Sequence, residues 1–242
     1  MKRELTVIIP CKNEEGYIGN LLEDLNNQIG FTNLPVVVAD ANSTDGTRQV
    51  VERFQSRDTN LDIKIIEGGP VSVGRNRGAR IADSKYLLFI DADVRLYSIE
   101  TLFNTWQTLN LNPHLRLLTC RLKSYSPSIL SKVAFSLYNL VHKVLVRKYP
   151  FAIGAYFFLR KEDFDKFGMF NERSDNSEDF LFSQNFKPSE FATLEHYIGQ
   201  DDRRMKKMGY VGMAVHLIRN LYRYMRNGRE EFTQTSNYWN EN

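Results

Sequence analysis

Cysteine is scarce in this chain, with Cys11 and Cys120 the only two among 242 residues. Two cysteines cannot build a disulfide framework and do not have the spacing of a metal-binding cluster, so we expect a reducing, cytoplasmic location. Long apolar runs are also missing, since none approaches the roughly 20 residues that a membrane-spanning helix needs. Residues 1–4 lead directly into a strand-like segment without a signal-peptide stretch. We therefore expect a chain that does not cross a membrane.

Acidic residues are absent from one stretch near the C-terminus. Residues 203–229 contain eight basic side chains and no acidic one, although the whole chain carries a net charge of only +3. Apolar residues at helical spacing run through this stretch and through residues 126–148. Such faces pack on the protein body or on a second subunit of a homo-oligomer, or they lie on the inner face of a membrane. No nucleic-acid-binding motif accompanies the basic residues, so we expect no nucleic-acid partner.

Strand-like and helical segments alternate through the first hundred residues. Apolar runs end near residues 10, 40, 67 and 90, and each of the first three is followed by a segment with helical periodicity. A chain of this length suits one α/β domain. The alternation predicts an α/β fold with a mostly parallel, Rossmann-like sheet flanked by helices.

Polar clusters follow three of the predicted strands. They are Lys12-Asn13-Glu14, the segment 40–47 (DANSTDGT) and Asp91-Ala92-Asp93. The carboxyl ends of parallel strands meet at one edge of a sheet, where ligands bind, so these clusters are expected to form a single site. Part of the second cluster also has a purely structural interpretation, because Ser43 or Thr44 can cap the following helix.

Four segments together resemble the nucleotide-sugar-binding half of the family 2 glycosyltransferases, which have the GT-A fold. They are VIIPCKNEEGYIGNLLEDL, VVVADANSTDGT, GRNRGA and LLFIDADV, in the family's order and spacing. The resemblance implies a glycosyltransferase domain over residues 1–200, with the donor half at 1–100 and the acceptor half at 101–200. Residues 201–242 would form a basic, amphipathic helical extension.

The resemblance assigns donor-side roles position by position. Asp93 corresponds to the direct ligand of a divalent cation, Mn²⁺ or Mg²⁺, and Asp91 to a residue that meets the ribose or metal-bound water. Asp40 corresponds to the acid that hydrogen-bonds the base, typically uracil. The remaining positions lie beside the base, ribose or phosphate: Pro10, Asn13, Glu14 and Arg75. A strand-end acid pair that accepts turn N–H bonds is the structural alternative for the two aspartates.

The second half carries acceptor-side motifs of the same family. Gly154 and Ala155 correspond to the segment that lines the sugar and acceptor site, where glycine permits close backbone approach. Asp179 corresponds to the general base of an inverting displacement, and Glu178 to the residue that orients the base or the acceptor. The structural alternative is a favourable acidic start of a helix after Ser177.

Three further residues are weaker candidates. His196 follows the acidic pair on a strand-like run, where some family members complete the metal site with a histidine, although a lone histidine is as often structural. Arg203 or Arg204, in the segment QDDRR, resembles the arginine that binds the diphosphate in processive members.

The function that the resemblance implies is that of a metal-dependent, inverting glycosyltransferase. We expect a UDP-sugar donor, with a GDP-sugar as the alternative, and a hydroxyl acceptor on a glycan or a lipid-linked molecule. A non-catalytic nucleotide-sugar-binding protein would lack the acid pair at residues 178–179. A sugar nucleotidyltransferase would need a Gly-rich basic loop that residues 7–16 do not resemble.

Overall fold

The computed structural model describes residues 4–173 and 178–209, together with 212 and 219. The predicted cap Ser177 and most of the predicted C-terminal extension lie outside these residues. Within the described part of the chain, no helix has the length and apolar character needed to cross a bilayer.

Eight strands form one sheet. Their bounds are β1 Leu5–Cys11, β2 Leu34–Asp40, β3 Leu61–Glu67, β4 Tyr86–Phe89, β5 Arg95–Leu96, β6 Leu117–Ser124, β7 Phe157–Arg160 and β8 Phe191–Gln200. The β-branched and aromatic residues that fill the longer strands suit a pleated, buried surface.

Helices connect and cover the strands. Their bounds are α1 Ile18–Asn26, α2 Thr47–Gln55, α3 Val71–Ile81, α4 Thr101–Leu111, α5 Ile129–Leu145, α6 Lys161–Lys166, α7 Glu178–Ser183 and α8 Arg203–Met208. Helix α1 illustrates the pattern, because its four apolar residues at helical spacing are all buried.

The strand order across the sheet is β3-β2-β1-β4-β7-β6-β8-β5. The first four of these strands pair in parallel, with Ile8 of β1 opposite both Val37 of β2 and Phe89 of β4. Parallel strands covered by helices on both faces are the arrangement that the alternating sequence pattern predicts.

The second half of the sheet is mixed. Strand β7 runs antiparallel to β4 and to β6, and β8 runs parallel to β6 but antiparallel to β5. The sheet is thus parallel from β3 to β4 and mixed beyond β4, which is the Rossmann-like architecture expected from the sequence.

Two apolar cores lie on opposite faces of this sheet. Val7 and Ile9 of β1 belong to one cluster, and Ile8 between them belongs to the other. Alternate side chains of a strand point to opposite faces, so a strand that is apolar throughout must be covered on both sides. This double cover holds the strand ends in fixed positions at the rim of the sheet.

Candidate functional site

The carboxyl ends of the parallel strands enclose a cavity of about 280 Å³. Acidic and basic side chains line this cavity together with turn segments of small residues. The cavity is therefore polar and suited to a charged ligand. The lining residues are Pro10, Cys11, Lys12, Glu14, Ala41, Gly69, Pro70, Val71, Asp91, Ala92, Asp93 and Arg203. Four of the predicted donor-side residues therefore share one cavity with Arg203.

The loops after β1 and β2 are joined by side-chain hydrogen bonds. Asn13 N–H donates to Ser43 Oγ at 2.9 Å, and Asn13 Oδ1 accepts from Thr44 N–H at 2.8 Å. Ser43 Oγ in turn donates to Asp40 Oδ1 at 2.5 Å. Asn13 and Asp40 are not among the residues that line the cavity, and their hydrogen bonds join the two loops that flank it.

The expected cap by Ser43 or Thr44 is wrong. The N-cap residue of α2 is Gly46, without a side-chain cap hydrogen bond, and the neighbouring Asp45 Oδ1 accepts from Thr47 N–H at 3.0 Å and from Thr47 Oγ1 at 2.5 Å. Ser43 is instead engaged with Asp40. A carboxylate is the better acceptor beside the exposed N–H groups of a helix start, which explains why Asp45 and not a hydroxyl accepts there.

Arg203 reaches the cavity from helix α8. Its Nη2 donates to Glu14 Oε1 at 2.5 Å and lies 3.1 Å from Asp93 Oδ2. Its guanidinium carbon lies 4.7 Å from the centroid of the Tyr17 ring, within the range of a cation–π contact. A positive group from the second half of the chain therefore sits between two carboxylates of the first half.

The donor set of this cavity fits a divalent cation that arrives with a phosphate ligand. Asp91 and Asp93 supply hard carboxylate oxygens, which Mg²⁺ and Mn²⁺ prefer. Over the described residues, no three His, Cys, Asp or Glu side chains are grouped so as to hold a metal ion. One or two carboxylates suffice when substrate phosphates and water complete the coordination shell.

Arg75 lies in the interior and not on the cavity wall, although its motif predicted contact with base or phosphate. It is 2% exposed. Its Nη2 donates to Asp91 Oδ1 at 2.8 Å and to the Gly154 carbonyl at 3.1 Å, while Nη1 donates to Glu178 Oε1 at 2.6 Å. Burial alone would lower the pKa of Arg75, yet Asp91 and Glu178 raise it, so the guanidinium stays charged.

The predicted acid pair opens helix α7 beside this arginine. Asp179 Oδ2 accepts from Gly154 N–H at 2.7 Å, and Asp179 Oδ1 accepts from Phe180 N–H at 2.7 Å. A Cβ atom at Gly154 would lie only 2.7 Å from Arg75 Nη2, so a side chain at this position would push the guanidinium away. Ala155, its predicted partner, is buried in the apolar core.

Burial sets the protonation behaviour of the acid pair. It raises the pKa of Glu178 to about 7, against the opposing charge of Arg75 and with a further increase from the negative charge of Asp179. Burial also raises the pKa of Asp179, although Arg75 and the N–H groups of Phe180 and Gly154 oppose it. Carboxylates whose pKa approaches neutrality are suited to accept a proton.

His196 lies away from the cavity. Leu194 pairs with Cys120 and Tyr197 with Arg121, so Glu195 and His196 fall in an irregularity of the β8–β6 ladder. The His196 ring nitrogen Nε2 lies 3.3 Å from Asn104 Nδ2 of helix α4. The structure thus brings His196 to α4 and not to Asp93, because the irregularity redirects this part of β8. The side chain of Arg204 is outside the described part.

Several cavity residues escaped the sequence interpretation. Gly69, Pro70 and Val71 follow β3, the one strand end for which no polar cluster was expected. A Gly-Gly-Pro turn after an apolar run was the available signal, since glycine permits close backbone approach. Tyr125 has no comparable signal: its hydroxyl donates to the Asp93 carbonyl at 3.0 Å from 32 residues away.

A Rossmann-like sheet with a polar, carboxylate-lined cavity at its strand ends, beside a buried acid pair, defines an α/β protein with a ligand site at the carboxyl ends of its strands. The family model described as Glycosyl transferase family 2 matches residues 6–168. The chain belongs to this family.

Bacterial glycosyltransferases are among the relatives that this chain resembles in sequence. Poly(ribitol-phosphate) beta-N-acetylglucosaminyltransferase TarS of Staphylococcus aureus is 38% identical over 94 residues, which cover 37% of this chain and 16% of TarS. The uncharacterized glycosyltransferase YibD of Escherichia coli is 29% identical over 117 residues, 48% of this chain and 33% of YibD. The matched segments thus cover a third or less of each relative.

Solved structures share the fold. A mannosyltransferase from Pyrobaculum calidifontis in complex with GDP-Man and Mn²⁺ has a TM-score of 0.72 at 22% identity, over 93% of this chain and 65% of that one. Residues 1–349 of TarS in complex with UDP have a TM-score of 0.59 at 21% identity, over 84% of this chain and 62% of that one. These likenesses establish the GT-A architecture.

Proposed function

We propose that this chain is a metal-dependent, inverting glycosyltransferase, and that it moves a sugar from a UDP-sugar to a hydroxyl of a glycan or lipid-linked acceptor. A GDP-sugar is the alternative donor. The proposal is carried by one observation: buried Arg75 bonds Asp91, on the cavity wall, and Glu178, in the acid pair, at 2.8 and 2.6 Å. The donor cavity and the acid pair are thereby parts of one site.

The donor is assigned to the cavity at the strand ends. Pro10 and Glu14 line it, and Asp40 and Asn13 hold the loops that flank it. In this assignment Asp40 and the first loop contact the base and ribose. The UDP and the GDP-Man bound to the two structural relatives support a nucleotide in this position.

Asp93 and Asp91 are the carboxylates that we assign to a divalent cation. When bound with the diphosphate, such a cation neutralises the charge that grows on the leaving group. The Mn²⁺ in the mannosyltransferase complex supports this assignment. His196, which lies against Asn104, is left out of it. Arg203 is assigned to the diphosphate, to which it can turn from Asp93.

Asp179 is assigned as the base that takes the acceptor proton. Its two oxygens are held by the N–H groups of Gly154 and Phe180, which keeps the carboxylate in one orientation beside the cavity. Glu178 and Arg75 position it. A base on the side opposite the leaving diphosphate would give attack in line and inversion at the anomeric carbon.

Calorimetric titration tests the donor and metal assignments. UDP and then GDP are titrated into wild type and Asp93→Ala, with and without Mn²⁺. We expect tight binding of one nucleotide that needs both the ion and Asp93. Equal binding with and without Mn²⁺ in both proteins would overturn the metal assignment.

Turnover tests the base and the remaining alternatives. Asp179→Asn is expected to keep nucleotide binding and to lose sugar transfer by roughly a hundredfold or more. A non-catalytic binding protein would show no transfer in wild type. A nucleotidyltransferase would consume free sugar phosphate and a nucleoside triphosphate, which separates it from the proposed reaction.

The proposed organisation keeps residues 1–100 as the donor half and 101–200 as the acceptor half. We place the enzyme in the cytoplasm, at the inner face of the membrane if its acceptor is lipid-linked. A Campylobacter jejuni relative named GalNAc(5)-diNAcBac-PP-undecaprenol beta-1,3-glucosyltransferase, 30% identical over 98 residues, supports an acceptor of that kind.

A further inference from the structure

Helix α5 presents an apolar stripe on its outward side. Seven large apolar residues of this helix are between 47% and 78% exposed. At 3.6 residues per turn they cover about 120° of the helix surface, away from the buried side formed by Ser131, Phe135 and His142. The stripe consists of Ile129, Leu130, Val133, Leu137, Leu140, Val141 and Val144.

This stripe differs from ordinary surface hydrophobicity. The other large apolar side chains that the described residues expose are scattered over several elements, whereas these seven follow one another along a single helix. Contiguous apolar surface of this kind marks a site where another surface is bound.

Basic residues without acidic neighbours in the sequence border the stripe. Lys132 and Lys143 lie along one edge of it, and Arg147 and Lys148 follow its C-terminal end, all of them exposed. From Thr101 to Lys161 the sequence contains nine basic residues and no acidic one, although the chain has 29 acidic residues in total. The apolar stripe therefore lies within a positively charged part of the chain.

A second feature extends this charge beside the helix. A cavity of about 430 Å³ lies between α5 and β8, and Arg121, Lys143 and Arg147 are among the residues that line it. Glu195 pairs with Arg121 at 2.6 Å and offsets part of the charge. Lys143 and Arg147 remain as cations next to the apolar surface.

Charge decides which partner fits this surface. A second copy of the chain would bring the same lysines face to face, and the C-terminal stretch 203–229, which is itself basic, would add like charge. A bilayer with anionic phospholipids offers both an apolar interior for the stripe and negative headgroups for the cations. We propose that the α5 stripe docks on such a bilayer surface.

The docked helix would bring the active-site rim to the membrane. Near its first turn, Ser131 Oγ donates to Asp202, the residue before Arg203. Tyr125, just before the helix, donates to the carbonyl of Asp93. The consequence, which rests on the proposed function, is that the acceptor is drawn from the lipid-linked class.

Vesicle sedimentation of the full chain tests the docking without any donor or turnover. The probes are phosphatidylcholine vesicles with and without phosphatidylglycerol. Wild type is compared with Leu137→Glu/Val144→Glu and with Leu130→Glu/Val133→Glu. The control is Leu111→Glu, which changes a residue that is 67% exposed at the end of α4, outside the stripe. Circular dichroism verifies that each variant is folded.

We expect wild type and the control to bind the anionic vesicles and both stripe variants to bind at least roughly tenfold more weakly, because each loses buried apolar contacts and gains negative charge. Lys143→Gln/Arg147→Gln should reduce the preference for anionic vesicles. Unchanged binding of both stripe variants would assign membrane contact to another surface and overturn the proposal. A dimer of wild type that both variants abolish, with no vesicle binding, would assign the stripe to a second copy.

Discussion

Arg203 holds the position beside Asp93 that a cation would need. Its guanidinium is 3.1 Å from Asp93 Oδ2 and bonds Glu14, so its single positive charge offsets part of the negative charge of these two carboxylates. A metal ion alone must compete with Arg203 for Asp93. A metal ion that arrives with a diphosphate also brings phosphate oxygens, which give Arg203 a new anionic partner. The exchange would couple metal binding to nucleotide binding.

Arg203→Ala should separate these two effects. We expect Mn²⁺ alone to bind the variant more tightly than it binds wild type, because Asp93 no longer has a competing cation. Affinity for the nucleoside diphosphate should fall by roughly tenfold, the value of one charge-assisted hydrogen bond. Calorimetry with Mn²⁺ and then with nucleotide measures both, and Arg53→Ala on α2, outside the cavity, is the control. Weaker Mn²⁺ binding by the variant would contradict the competition.

The acid pair predicts the pH dependence of transfer. Burial raises the pKa of Glu178 to about 7 and also raises the pKa of Asp179, and Asp179 must lose its proton before it can act as the base. The rate should therefore rise with pH above the ordinary titration range of an aspartate and level off once Asp179 is ionised. The rate of sugar transfer measured from about pH 5 to about pH 9 tests this rise, and a rate that does not change with pH would contradict it.

Glu178→Gln is the variant that tests the cause of this rise in rate with pH. Without the negative charge of Glu178, the positive charge of Arg75 lowers the pKa of Asp179 further. The rise of the transfer rate should therefore occur at lower pH. Stability changes in the same window: because the folded-state pKa of Glu178 lies above its ordinary value of 4.5, its contribution is complete below that value and is lost as pH rises through about 7. The variant should lose less stability across this interval than wild type does.

Helix α3 packs closely against β1 because residue 78 is a glycine. A Cβ atom at Gly78 would lie 2.5 Å from Ile8 Cγ2 in the apolar core. The tight contact brings α3 close enough for Arg75, three residues earlier, to reach Asp91. Packing of this element is therefore part of how the site is built.

Gly78→Ala should lower the free energy of unfolding by about 1–3 kcal/mol, the usual range for overpacking a core. Gly16→Ala is the control, since a Cβ atom there would meet nothing within 4 Å. Urea denaturation of both variants and wild type gives the comparison. A Gly78 variant as stable as the Gly16 control would show that α3 can shift without cost.

Local patterns account for most of the elements that the sequence predicts correctly. The apolar runs of β1 to β4 and the spacing in α1 are properties of consecutive residues, so they can be read without knowing the fold. The insertion of β7 between β4 and β6 depends on contacts between distant segments, and no local pattern encodes it.

The same distinction separates the site residues. Asp91 and Asp93 follow a buried strand and were placed at the rim on that ground. Arg75 was predicted to lie beside the base or phosphate, and its pairing with Glu178, 103 residues away, was not predicted. His196 followed an apolar run, yet the irregularity in β8 directs it to Asn104. Roles that rest on long-range pairing were the ones missed.

Donor binding should stabilise the whole molecule, because the cavity joins loops of residues 1–100 to Arg203 of helix α8. A ligand present at about 100 times its Kd adds about 2.7 kcal/mol to the free energy of unfolding. For a chain of this size that corresponds to a rise in Tm of roughly 5–10 °C. Thermal unfolding with Mn²⁺ and UDP, and with Mn²⁺ and GDP, measures this rise in Tm and identifies the nucleobase of the donor.

Two aspartate variants locate the source of this stabilisation. Asp93→Ala should lose the part of the Tm rise that depends on Mn²⁺, since Asp93 is assigned to the ion. Asp179→Asn should keep it, because the base acts on the acceptor and not on the nucleotide. A rise in Tm that is equal in wild type and Asp93→Ala would move the metal away from Asp93. A loss in Asp179→Asn alone would instead place the acid pair in nucleotide binding, with Arg75 as the connection.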